Sequence, residues 1–163
     1  MGREIERKFL VRGDAWRSLG VGVSYRQGFL SADRERVVRV RIAGGAATLT
    51  VKGPTRNFTR AEFDYAIPLE DARFMLDHLC VRPLIEKLRY RIAVGDLLWE
   101  VDEFAGENRG LILAEVELTA EDQIVVPPAW IGEEVSGDPR YFNSNLIVHP
   151  YCRWQEGCSA TGG

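Results

Sequence analysis

A chain of 163 residues has room for one respectable hydrophobic core, and 45% apolar with 28% charged residues is the ordinary composition of a soluble globular protein. The formal net charge of −3 argues against a nucleic-acid surface, which shows as a basic excess, yet it is compatible with a locally basic cavity. Cys80, Cys152 and Cys158 are an odd number without metal-site spacing, and a charged strand stands where a signal peptide needs an apolar run. Reduced thiols, a cytoplasmic location and no membrane partner are therefore expected.

The opening stretch Glu4-Ile5-Glu6-Arg7-Lys8-Phe9-Leu10 reads as a strand, with Glu4, Glu6 and Lys8 on one side and Ile5 and Phe9 on the other. Two carboxylates ~7 Å apart, followed by an ammonium, can hold a hard cation and the anion it carries; a solvent-facing edge strand shows the same alternation. Asp14 is placed to cap a short helix running to Leu19. Residues 23–30 read as a strand interrupted at Gly28, and residues 34–42 set Val37, Arg39 and Arg41 against Val38, Val40 and Ile42. Gly44-Gly45 signals a hairpin into residues 47–52, whose polar side carries Thr48, Thr50 and Lys52. Residues 60–67 alternate Arg60, Glu62 and Asp64 with Ala61, Phe63 and Tyr65, and residues 69–79 have helical spacing. Residues 84–94 place Lys87, Arg89 and Arg91 on one face; residues 97–104 do the same with Glu100 and Asp102, and residues 111–118 with Glu115 and Glu117. Residues 119–128 read as irregular, 141–148 as a last short helix, and 155–163 as a disordered tail.

This tally makes a mainly β (α+β) chain with about eight strands, mostly hairpin-connected, which is the number a small closed antiparallel barrel needs. Periodicity leaves two readings open. Either the charged faces meet water on a half-solvated sheet, or the barrel closes with those faces inward as a wet tunnel. In the second case the apolar outer faces are covered by the helices or by a second subunit in a homodimer.

The ordered blocks Glu4-x-Glu6-x-Lys8, Val38-Arg39-Val40-Arg41, Leu49-Thr50-Val51-Lys52-Gly53, Glu86-Lys87-x-Arg89-Tyr90, Trp99-Glu100-Val101-Asp102 and Ala114-Glu115-Val116-Glu117-Leu118 closely resemble the CYTH family, also called triphosphate tunnel metalloenzymes. The resemblance runs from Glu4 to about Trp154, through Asn143-Ser144-Asn145-Leu146, so one domain over residues 1–154 is expected. It looks most like the short bacterial members that hydrolyse inorganic tripolyphosphate. It implies an eight-stranded antiparallel tunnel, a small-molecule triphosphate as substrate, and Mg²⁺ or Mn²⁺. Carried over by resemblance, Glu4, Glu6 and Glu117 are ligands of the first ion. Glu115, Glu62, Asp64 and Asp102 serve a second ion and the attacking water. Lys8, Arg39, Arg41, Lys52, Lys87 and Arg89 form the phosphate cradle, with Lys8, Lys87 and Glu115 as the catalytic set. The chemistry agrees: in-line phosphoryl transfer needs charge neutralised on the non-bridging oxygens, which arginine contacts bidentately and lysine as a point charge.

His78 and His149 match no ligand spacing, and Trp16, Trp99, Trp130 and Trp154 read as packing. Arg60 and Arg91 suit either a tunnel mouth or bridges to neighbouring acids, and Glu100 suits a cross-strand partner for arginine. One departure stands out. Where related members often carry Gln-Gly-Tyr-Leu, this chain has Gln27-Gly28-Phe29-Leu30, without the hydroxyl associated there with a tunnel lysine. A cyclase of the same family, a thiamine or nucleoside triphosphate hydrolase and a non-catalytic polyphosphate binder are the other readings.

Overall fold

The alternating stretches pair into one antiparallel sheet. The structure, a computed structural model, describes residues 2–154; the tail expected to be disordered lies outside the described residues. The strands are β1 (Gly2–Val11), β2 (Gly22–Asp33), β3 (Arg36–Ala43), β4 (Ala46–Lys52), β5 (Thr59–Ala66), β6 (Ile85–Val94), β7 (Leu97–Phe104), β8 (Ile112–Glu117) and β9 (Ile131–Glu134). Two helices, α1 (Leu69–His78) and α2 (Asn143–Leu146), complete the main elements. The short helix expected after Asp14 is a single 3₁₀ turn, Ala15–Ser18. The last expected helix is divided between a 3₁₀ turn at Pro139–Tyr141 and α2.

The strand order β5-β4-β3-β2-β6-β7-β8-β1 closes on itself because β1 also pairs with β5, giving a ring of eight. The closing seam is short: Gly2, Arg3, Glu4 and Ile5 face Glu62, Ala61, Arg60 and Thr59. Farther along β1, Glu6 to Leu10 pair with β8 on the opposite edge, while Phe9 and Val11 pair with β9. The ninth strand falls in a stretch with no clear alternation and was not expected; its two ladder positions extend the edge of β1 beyond the point where β5 leaves it. Tight hairpins set the register of β3–β4 and β6–β7, each with a glycine at positive φ, Gly44 at 59° and Gly95 at 60°.

Two of the three apolar clusters lie outside the ring. Ala72 and Leu76 of α1 cover Val40 and Ala47 on β3 and β4. Trp16 and Trp130 cover Phe9, Trp99, Val101 and Val116 on β1, β7 and β8. The third cluster is internal: Phe29, Val37, Ile85, Phe104 and Leu113 share the inward parity of the charged residues, and Tyr141, Leu146 and Ile147 pack onto them. The C-terminal segment thus stops one end of the ring with apolar side chains, and the charged residues line what is left. The charged faces therefore point inward, and the chain's own segments cover the outer apolar strips of β3–β4 and of β1, β7 and β8, while Tyr65 on β5 and Leu88 on β6 stay exposed. No described helix is long and apolar enough to cross a membrane.

Candidate active site

Inside the ring is a cavity of about 340 Å³, within the ~300–1,000 Å³ range of small-molecule sites. Its wall includes Glu4, Glu6 and Lys8 of β1, Arg39 and Arg41 of β3, Lys52 of β4, Glu62 and Asp64 of β5, Lys87 and Arg89 of β6, and Glu115 and Glu117 of β8. Each strand contributes alternate residues, so the two-residue period delivers every one of these side chains to the same lumen. The structure therefore brings together all the expected site residues except Asp102, which does not line the cavity.

Asp102 is fully buried behind two cations. Lys87 Nζ donates to its Oδ2 at 2.7 Å, and Arg89 donates from Nε to Oδ1 at 2.7 Å and from Nη2 to Oδ2 at 2.8 Å. Against the burial that raises a carboxyl, Lys87 and Arg89 hold Asp102 below its ordinary range. Both its oxygens are engaged with the basic wall, and the side chain is sealed from the cavity. Two further pairs run along the wall, between Lys52 and Glu4 on either side of β5 and between the cross-strand partners Lys8 and Glu115. Lys52 Nζ donates to both oxygens of Glu4, at 3.1 and 2.8 Å, and Lys8 Nζ stands 3.3 Å from Glu115 Oε1. Burial works against Glu4 and Glu115 too, but Lys52 keeps the first ionised, and Lys8 with Arg89 and Lys87 keeps the second well below the carboxylate range.

The remaining charges are poorly compensated, and they separate by sign. Burial, with Glu115 and Glu4 alongside, pushes Glu6 up to about 8. Burial likewise lifts Glu62 to about 6, Glu4 and Asp64 adding to the effect against Lys52. Glu117 is raised by burial, Glu4 and Glu100. On the basic side, burial with Arg39 and Arg89 pushes Arg41 down to about 9. Burial takes Lys87 down to about 7, Asp102 opposing while Arg89 and Arg41 add. Arg39 is lowered by burial against Glu4 and Glu62, and its buried Nε has no partner among the described residues. The lumen thus has an acidic region short of cations and a basic region short of anions. Among the described residues no three carboxylates gather around one point, as expected of like charges that repel.

Residues 2–151 match the CYTH domain. The chain belongs to the CYTH family. A curated relative named inorganic triphosphatase, from Acetivibrio thermocellus, is 51% identical over 156 residues, spanning 96% of this chain and 100% of that protein. Another of the same name, from Nitrosomonas europaea, is 37% identical over 149 residues, 89% of this chain and 97% of the relative. A crystal structure described as that of an inorganic triphosphatase superposes with a TM-score of 0.62 at 35% identity, covering 91% of this chain and 96% of the other.

In this CYTH chain several residues that support the lumen wall lie outside the set expected from sequence; of Tyr25, Thr50, Gln27 and Asn143, only Asn143 lines the cavity itself. Tyr25, on the inward face of β2, is stacked between the guanidinium groups of Arg41 and Arg89, at 4.9 and 5.0 Å from its ring centroid. Buried Thr50 accepts from Arg39 Nη2 and donates to Asp64 Oδ1. Gln27 and Asn143 bridge the basic wall. The alternation that exposed Lys52 and Phe29 also covers Thr50, Tyr25 and Gln27; uncharged residues carry a weaker signal. Asn143 reaches the lumen only through the tertiary packing of α2. Phe29 does face the cavity and is 3% exposed, packed among Val37, Ile85 and Phe104. At the opposite end Thr55, Asn57, Phe58, Arg60 and Arg91 line the opening, and Arg91 pairs with Glu100 at 3.3 Å.

Proposed function

We propose that this chain is a divalent-metal-dependent hydrolase of inorganic tripolyphosphate that releases orthophosphate. The observation that carries the reading is the separation of uncompensated charge within one lumen: a cation relieves Glu6, Glu62 and Glu117, while a polyanion relieves Arg39, Arg41 and Lys87. A metal–polyphosphate salt supplies both at once, and the names of the relatives point to the same substrate.

The donor set is all carboxylate oxygen, which suits Mg²⁺ or Mn²⁺ rather than a soft metal. Glu4, Glu6 and Glu117 would hold the first ion, and Glu62, Asp64 and Glu115 a second. When bound, such ions neutralise the non-bridging oxygens and acidify water. The chain's own residues do the rest. Lys8, Arg39, Arg41, Lys52, Lys87 and Arg89 orient the phosphoryl groups for in-line attack. Lys87, drawn down to about 7, is poised to hold a proton at Nζ near neutral pH and to release it to the departing oxygen. Asp102 acts as a positioning residue, holding Lys87 and Arg89 rather than binding metal. The apolar stopper around Phe29 keeps water out of the far end.

The test is a panel of tripolyphosphate, nucleoside and thiamine triphosphates with Mg²⁺ and with Mn²⁺, scored for orthophosphate, pyrophosphate and cyclic nucleotide. Orthophosphate from tripolyphosphate, reduced ~100-fold or more by Glu4→Gln, is the expected result. Pyrophosphate and cyclic AMP from ATP would make it a cyclase instead, and tight binding without turnover would make it a binding module.

A further inference from the structure

The C-terminal segment reaches the basic wall through polar side chains as well as closing the ring. Gln27 is completely buried on the inward face of β2. Its Oε1 accepts from Arg41 Nε at 2.8 Å, and its Nε2 donates to Asn143 Oδ1 at 3.2 Å. The same Asn143 oxygen accepts from Lys87 Nζ at 3.4 Å. One residue earlier, the Phe142 ring lies 5.8 Å from Lys8 Nζ, and the Tyr141 carbonyl accepts from that ammonium at 3.3 Å.

The polarity of this chain of hydrogen bonds is fixed at its Arg41 end, because a guanidinium can only donate. Arg41 therefore requires the Gln27 oxygen, which turns the Gln27 amide nitrogen towards Asn143; that nitrogen requires the Asn143 oxygen, the atom to which Lys87 also donates. Neither amide can flip without setting donor against donor. Gln27 and Lys87 are buried while Arg41 and Asn143 are half-buried, so an unpaired polar group is costly at two of the four members and the chain constrains Arg41 and Lys87 together.

We propose that Gln27 and Asn143 are positioning residues of the active site, a two-amide relay by which the segment carrying α2 fixes Arg41 and Lys87 relative to each other. This rests on the reading of the lumen as a triphosphate site, but it assigns these amides a task that the charged residues cannot perform. Asp102 holds Lys87 from one side only, and apart from the relay no hydrogen-bond partner of Arg41 is found among the described residues.

The relay is tested with Gln27→Met, Asn143→Ala and their double variant, in steady-state hydrolysis of tripolyphosphate. Loosening Lys87 should lower kcat about tenfold to a hundredfold in Asn143→Ala with KM changed less than threefold, since misplacement near the reacting atoms is felt in the transition state. Gln27→Met, which also frees Arg41, should raise KM as well. In the double variant the loss in kcat should not exceed that of the worse single variant, because one connected unit fails once. Asn143→Asp restores the acceptor and should recover kcat over Asn143→Ala, even as its charge raises KM. Losses that multiply in the double variant, or an Asn143→Asp no better than Asn143→Ala, would overturn the relay while leaving the hydrolase reading intact. A crystal structure of Asn143→Ala supplies the readout that needs no turnover: Lys87 Nζ and the Gln27 amide should both shift, and finding them in place would overturn the proposal even if tripolyphosphate proved not to be the substrate.

Discussion

Glu6→Gln measures what the acidic region costs the free protein. Burial and the charges of Glu115 and Glu4 raise Glu6 from 4.5 to about 8. A carboxyl with a folded value above its unfolded one binds more protons when folded. Its contribution to stability therefore falls as pH rises from 4.5 through 8. At about 1.36 kcal/mol per unit the whole shift is worth roughly 5 kcal/mol. Glu6 is only partly buried from cavity water, so roughly 2 kcal/mol is the working figure. For a chain of this size that is a gain of about 4–8 °C in Tm for Glu6→Gln above the window, and almost none below it. The assay is thermal melting in the presence of a chelator at about pH 5 and about pH 9, repeated with Mg²⁺ and tripolyphosphate. The ligands should reverse the order by stabilising the parent more than the variant. An equal offset between the two proteins at both pH values, or a variant still stabilised as strongly as its parent by the ligands, would refute the reasoning.

Asp102→Asn leaves Lys87 and Arg89 buried without their shared counter-charge. It should destabilise by about 3–5 kcal/mol in denaturant titration and lower turnover, although Asp102 does not line the cavity; unchanged stability would remove it from its positioning role. Phe29→Tyr adds one oxygen at a wall position whose cross-strand partner is Arg39 and should raise turnover on tripolyphosphate and alter the alkaline limb of its pH–rate profile. Superimposable profiles would make Phe29 packing alone.

The ring itself was legible because alternation of charge and apolarity repeats in strand after strand, and Glu100 with Asp102, or Glu115 with Glu117, cannot face an apolar cover. Direction was not legible: inward and outward closure have the same period, and only the tertiary cover, α1 over Val40 and Trp16 over Trp99, separates them. Nor could sequence tell Glu6 from Asp102. Both are acids at inward positions, but two cations converge on Asp102 while Glu6 faces other carboxylates, and those neighbours come from strands distant in sequence. β9 and Asn143 were hidden for a related reason. Neither sits in a periodic stretch, and each is placed by what it packs against.

β1 is shared by three partner strands, and this orders the life of the chain on the ribosome. β1 precedes all three of its partners, which begin at Thr59, Ile112 and Ile131, so it waits as an open edge until they are synthesised. Contacts of such sequence separation form late and slowly. An exposed strand is an invitation to intermolecular pairing, which charges along it discourage. Glu4, Glu6 and Lys8 therefore guard the nascent chain before they ever meet a ligand, and a partly made chain, lacking its seam, has no lumen in which to trap one.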